Sequence, residues 1–271
     1  MKYDISRNAK TLELDKILEL LSLQAGLADT AENALSLTPS SDFEEVKASL
    51  DKTNDAYIFM SKYSAPSFGA AKNVSSPLKR AQASAVLSIK ELLDIAETLR
   101  IIRGVKVWRE NCGGLKDTSL ENYFYSLIPN KYLEDKINFA IKSEEELNDN
   151  ASQALYDIRR KLTAKSAKIR EILERIVRGP TAKYLQDAII TQRDGRYVVP
   201  LKSEYKGQIN GVVHDTSATG STIFIEPMSV VETNNEIRVL KSREQEEIER
   251  ILSEMSADAG GSADSIISSY K

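Results

Sequence analysis

Cysteine and histidine are nearly absent: Cys112 and His214 are the only ones in 271 residues. One cysteine excludes an internal disulfide and a multi-cysteine metal site, and one histidine removes most histidine-based metal and triad schemes. No apolar run approaches the ~20 residues needed to span a bilayer. The N-terminal MKYDISRNAKTLELDKI lacks the apolar core of a signal peptide, so a cytoplasmic protein with no membrane partner is the simplest expectation. Positive charge is not in excess either. A formal net charge of −3 argues against a uniformly basic nucleic-acid binder.

The composition that is present, 41% apolar and 28% charged, belongs to a soluble, folded, helix-rich chain. Thr11 to Leu37 is leucine-rich over most of its circumference and predicts a helix buried on several sides. Ser41 with Glu44 is a capping-box pattern opening a helix from Phe43 to about Tyr63, with Val46, Leu50, Thr53 and Tyr57 as its apolar stripe. Ser64 to Ser84, holding Pro66, Gly69 and Pro77, reads as loop with short helical turns. A second box, Ser88 with Glu91, opens a core helix to about Arg109, which Asn111-Cys112-Gly113-Gly114 breaks. Trp108 and Cys112 are expected in the core or at its rim. Short helices follow around Pro129.

Ser143 with Glu146 reads as a third capping box, with Glu144 to Glu146 favourable to a helix dipole, opening the longest helix and ending at Gly179-Pro180. If continuous it spans about 36 residues, roughly 54 Å. Leu155, Ile158, Leu162, Ile169, Ile172 and Ile176, with Lys165 as the exception, recur in a 3-4 pattern that needs a partner helix. Val230 to Met255, with Ile237, Leu240, Ile248 and Ile251, is that partner. The two are oppositely charged. Leu155 to Lys183 carries nine Lys/Arg against three acids, and Ser229 to Ser256 four against seven. These charges pair across their own coiled coil in the main reading; in the other, part of the basic surface follows nucleic acid.

Between the two helices lies a β-rich island, Asp187 to Pro227. Strands are expected at Ala188–Thr191, Tyr197–Leu201, Gln208–His214 and Thr222–Ile225, as a four-stranded antiparallel meander. Arg193-Asp194-Gly195 supplies a hairpin turn, and Pro200 places its strand at an edge or bulge. A β tip between two long helices is a shape that touches something large. Lys183, Arg193, Arg196, Lys202 and Lys206 lie in or beside its first hairpin with few acids nearby, and loosely placed cations are enough for backbone phosphates. The plainer alternative is a charged edge strand that deters aggregation. Tyr197, Tyr205 and Phe224 could offer stacking, although alternate strand residues more often fill a small core. His214-Asp215 with Ser217 or Ser221 lacks the geometry a triad needs, so no catalytic residue and no metal site are expected.

The runs Arg193-Asp-Gly-Arg-Tyr-Val-Val-Pro-Leu-Lys202, Gly211-Val-Val-His-Asp-Thr-Ser-Ala-Thr-Gly-Ser-Thr-Ile-Phe-Ile-Glu-Pro227 and Glu232-Thr-Asn-Asn-Glu236 resemble the MutS family, in its second bacterial subfamily. Lys10 to Ile17, Lys79-Arg-Ala81 and Glu91 to Ala96 fit the same subfamily. The resemblance covers nearly the whole chain. It implies a mainly α fold: a helical core domain (1–142), an ascending lever helix (143–180), a four-stranded antiparallel β clamp (181–228) and a descending lever helix returning to the core (229–271). It further implies a homodimer that embraces branched or duplex DNA without reading sequence. The associated roles are suppression of recombination and rescue of stalled ribosomes. An alternative is a protein-interaction arm that meets ribosomal RNA or protein and has no DNA role. ATP and Mg, an ATPase and a small nuclease-type domain belong to the full-length family protein. This sequence contains no G-x-x-x-x-G-K-S/T loop. A fragment of a longer protein, without a cofactor of its own, is therefore expected. Gly260 and Gly261 weaken a helix by roughly 1 kcal/mol each, which sets a straight helix to Lys271 in question.

Overall fold

The structure, a computed structural model, describes residues 5–69, 71–114 and 118–271. It is mainly helical, with one two-stranded and one four-stranded antiparallel sheet. The chain divides into two compact units. One holds Met1–Asn148 with Leu252–Lys271, and the other holds Asp149–Ile251.

The first unit opens with α1 (Ile5–Thr11), α2 (Leu14–Ser22) and α3 (Ala28–Leu35), where one buried helix was expected. Glu13 takes the left-handed conformation (φ 57) and separates α1 from α2. Leu12, Leu20 and Leu23 are exposed. Leucine periodicity reports that a helix has an apolar side; it does not report what covers that side. The same holds for α4 (Phe43–Tyr63), whose cap is Asp42 rather than Ser41: Asp42 accepts from the Glu45 N–H at 3.0 Å. Val46, Leu50 and Tyr57 all remain exposed, and α4 enters the core at Phe59.

The unit's centre is α6 (Ile89–Asn111), which follows α5 (Ser75–Gln82). The capping box at Ser88 and Glu91 is present in both directions, and the helix buries Leu92, Ile95, Leu99 and Ile102. Beyond it come α7 (Glu121–Ser126) and α8 (Lys131–Ala140). Arg103 donates to both carboxylate oxygens of buried Glu134 on α8, at 2.9 and 2.7 Å. Trp108 joins Phe59, Tyr63 and Phe124 in an aromatic cluster. Cys112 is buried, and that burial pushes its thiol pKa up.

The expected helix start at Ser143 is instead a hairpin, β1 (Ile141–Ser143) and β2 (Glu146–Leu147). A Ser-x-x-Glu spacing fits a two-residue turn as well as a helix cap, and the adjoining Asn148-Asp149-Asn150 favours turns over helix. The long helix α9 therefore runs only from Gln153 to Val177, with Ser152 as its N-cap.

The second unit continues with β3 (Thr191–Arg193), β4 (Arg196–Lys202), β5 (Gly211–Thr216), β6 (Thr222–Pro227) and the part of α10 (Met228–Gly261) up to Ile251. The strand order is β3-β4-β6-β5, not a meander: β4 pairs with β6, and β5 lies outside it. Ala188 to Ile190 stay outside the strands. The hairpin turn is as expected, with Asp194 and Gly195 at φ 48 and 72 and Arg193 opposite Arg196. Pro200 is opposite Phe224, and its carbonyl accepts from the Gln186 N–H at 2.9 Å. The N–H that proline lacks would point to that same side, past the end of β3, so no ladder bond is lost.

The helix does not run straight to Lys271. It ends at Gly261, turns at Ser262, and resumes as α11 (Ala263–Tyr270). Gly260 has a packing reason, because a Cβ there would lie 2.7 Å from the backbone oxygen of Ala81 at the end of α5. Helix propensity alone favours Gly260→Ala by about 1 kcal/mol. The contact is with backbone, which cannot swing aside, so the variant is expected to lose about 1–3 kcal/mol in urea denaturation. A gain in stability would show that α5 and α10 are not held this close.

Candidate functional site

The four-stranded sheet is positioned by its apolar face. Val199, Leu201, Ile223 and Ile225 form one cluster with Ile169, Leu173 and Val177 of α9 and with Val230 and Ile237 of α10. The helices are joined by polar contacts in antiparallel order. Ser152 donates to Glu247 at 2.7 Å, Arg159 to Glu244 at 2.7 Å, and Lys165 pairs with Glu236 at 2.5 Å. Arg159 also bonds Asp149, so the opposite charges of the two helices do serve each other.

The five cations expected to form one surface fall into two groups. Arg193 and Arg196 sit at the hairpin end of β4 and are both engaged. Arg193 donates to Asp215 at 3.0 Å, and its guanidinium lies 3.9 Å from the centroid of the Phe224 ring. Arg196 donates to both oxygens of Glu226 at 2.9 and 3.0 Å, and to Asn235 at 2.7 Å. Glu226 is 1% exposed and is the hub of a closed polar network. His214 Nε2 lies 2.5 Å from its second oxygen, and the Asn234 amide donates to the first at 2.8 Å. Asn234 also pairs with the β4 backbone, accepting from the Tyr197 N–H and donating to the Tyr197 carbonyl, both at 3.1 Å. A buried carboxylate needs such partners, and here all of them come from neighbouring elements.

His214 is thus directed to Glu226, while Asp215 holds Arg193 and Ser217 and Ser221 bond within their own turn. The triad geometry is not assembled. Among the described residues no three His, Cys, Asp or Glu side chains cluster as a metal site, and no helix is long and apolar enough to cross a membrane.

Lys183, Lys202 and Lys206 form the second group, at the other end of β4. At about 3.3 Å per residue that strand separates the groups by roughly 20 Å. A bridge between Leu185 and Leu201 brings the turn Pro180–Tyr184 against the end of β4 and sets Tyr184 opposite Lys202. The next turn, Ser203–Tyr205, adds Tyr205, whose ring centroid is 5.1 Å from that of Tyr184. Lys183 Nζ stands 4.9 Å from the Tyr184 centroid and Lys202 Nζ 6.0 Å from that of Tyr205. None of the three lysines makes an ion pair among the described residues. Of the aromatics considered for stacking, Tyr197 is buried and Phe224 is covered by Arg193, which leaves Tyr205.

Sequence reasoning assigned no role to Glu226, Asn234 or Tyr184. Asn234 did carry a signal: adjacent asparagines are poor helix formers, so their place in a helical pattern asks for a partner.

No protein-family model matches the chain. It is 41% identical over 274 residues to a protein named endonuclease MutS2 from Clostridioides difficile, covering 98% of this chain and 34% of that one. It is 39% identical over 263 residues to the Acetivibrio thermocellus protein of that name, covering 96% and 33%, and 42% identical over 267 residues to the Clostridium beijerinckii one, covering 98% and 34%. The chain spans about a third of the length of the curated relatives it matches.

Proposed function

Since this chain belongs to the MutS2 family across the stretch it shares with those relatives, we propose that it forms the core, lever and clamp region of such a protein and grips nucleic acid by the backbone. In this reading residues 1–142 are the core domain, α9 and α10 are the levers, and residues 181–228 are the clamp. The observation that carries it is the lysine group. Lys183, Lys202 and Lys206 are brought to one end of β4 by two turns, and among the described residues none of them makes an ion pair. Arg193 and Arg196 hold the clamp in shape, and the lysines face the ligand. Ammonium groups on flexible stems suit phosphates and read no sequence.

DNA, branched or duplex, and ribosomal RNA are both polyanions that such a surface accepts. Suppression of recombination and rescue of stalled ribosomes are thus both proposed roles, in a cytoplasmic homodimer. The sequence contains no phosphate-cradling G-x-x-x-x-G-K-S/T loop, so ATP and Mg are proposed for the longer protein. The endonuclease activity in the relatives' names is proposed for it as well.

The test is fluorescence anisotropy with labelled duplex and four-way branched DNA at two salt concentrations. Three phosphate contacts predict a loss of about 40-fold in affinity between 50 and 200 mM salt. Lys183→Glu, Lys202→Glu and Lys206→Glu together are expected to weaken binding about tenfold or more and to flatten that slope. Binding that ignores salt, or survives the triple reversal, would remove this reading. Co-sedimentation with stalled ribosomes against capture on branched DNA separates the two targets.

A further inference from the structure

Resting on that reading, we infer that the Tyr184–Tyr205 pair is a stacking platform for an unpaired base, so that the lysine cluster prefers single-stranded nucleic acid to intact duplex. The two rings come from different turns, are partly buried, and meet at 5.1 Å with planes tilted by 51°. Each carries a lysine ammonium over it. A lysine over an exposed ring is held by about 0.5–1 kcal/mol. A base stacked on an aromatic side chain contributes about 1–3 kcal/mol. Exchange of the ammonium for a base is therefore favourable, and the displaced ammonium moves onto the phosphate of the same nucleotide. Lys183 and Lys206, next to the two rings along the chain, are exposed. A duplex keeps its base faces within its own stack and gains only the lysine contacts. The competing view is that both tyrosines serve only as a lid on the cluster beneath them, against which they pack.

The 271-residue chain is titrated by anisotropy at one salt concentration with labelled oligothymidylate, an abasic strand of equal length and a duplex of equal length. The intact strand is expected to bind about 5- to 150-fold more tightly than the abasic strand. Tyr184→Leu with Tyr205→Leu keeps an apolar lid; it is expected to abolish that margin while leaving abasic and duplex affinities unchanged. Tyr205→Leu alone, expected to reduce the margin, serves if the double variant melts early by circular dichroism. An abasic strand that binds as well as the intact one, or a margin that survives in the variants, overturns the inference. Salt-sensitive duplex binding without the margin overturns only the stacking. Loss of binding to all three ligands overturns the nucleic-acid reading with it.

Discussion

Glu226→Ala is expected to lower the stability of the β unit by about 3–5 kcal/mol, the largest effect of any single substitution considered for this chain. The carboxylate is 1% exposed, accepts from Arg196 and Asn234, and lies 2.5 Å from His214 Nε2. Truncation removes the charge that Arg196, itself with a side chain only 16% exposed, is placed to meet. The guanidinium retains Asn235 but loses its counter-charge in a site that water reaches poorly. Asn234 keeps its grip on the Tyr197 backbone with one donor bond fewer. Glu226→Gln separates charge from shape: it preserves volume and one carbonyl acceptor, so it is expected to cost less than alanine. Urea denaturation followed by far-ultraviolet circular dichroism reads both. A shift below about 1 kcal/mol for alanine would mean that the network behaves like an exposed ion pair. Arg196→Ala is then a stability variant too, and its salt slope for DNA should match wild type once the folded fraction is accounted for.

Features set by a few neighbouring residues were legible in the sequence. The Ser88-Glu91 capping box and the Asp194-Gly195 turn both formed where their local chemistry placed them. Signals of equal local strength failed where a second conformation used the same letters. Ser143 and Glu146 have capping-box spacing, yet they flank a hairpin turn, and the cap lies at Ser152. Pairing between distant strands was out of reach, because nothing local makes β4 choose β6 over β5. The candidate site was half legible. Its lysines were named from composition alone. The division into two groups depends on Glu226 and Asp215, which sequence distance separates from Arg196 and Arg193.

Leu173→Ala is expected to cost about 2–5 kcal/mol, and Ile172→Ala clearly less. Sequence spacing makes the opposite choice, since the 3-4 pattern through Leu162, Ile169, Ile172 and Ile176 passes over Leu173. That pattern describes a helix that meets another helix along its whole length. The first part of α9 pairs with α10 alone, through Arg159 and Lys165 with the cap residue Ser152. Nearer its C-terminus α9 meets the flat apolar face of the sheet, and the buried positions become Ile169, Leu173 and Val177 at a spacing of four. A sheet offers no groove for a 3-4 seam to follow, so the helix rests on it along an i, i+4 row. Leu173 is fully buried there, and Ile172 is only partly covered. Alanine at 173 leaves a cavity between helix and sheet, whereas alanine at 172 removes a methyl-rich edge that solvent already reaches. Denaturation midpoints for the two variants, measured side by side, decide the matter. Equal losses would mean that α9 keeps its helix-pairing register up to the sheet, and the packing that holds the clamp to its lever would then be different.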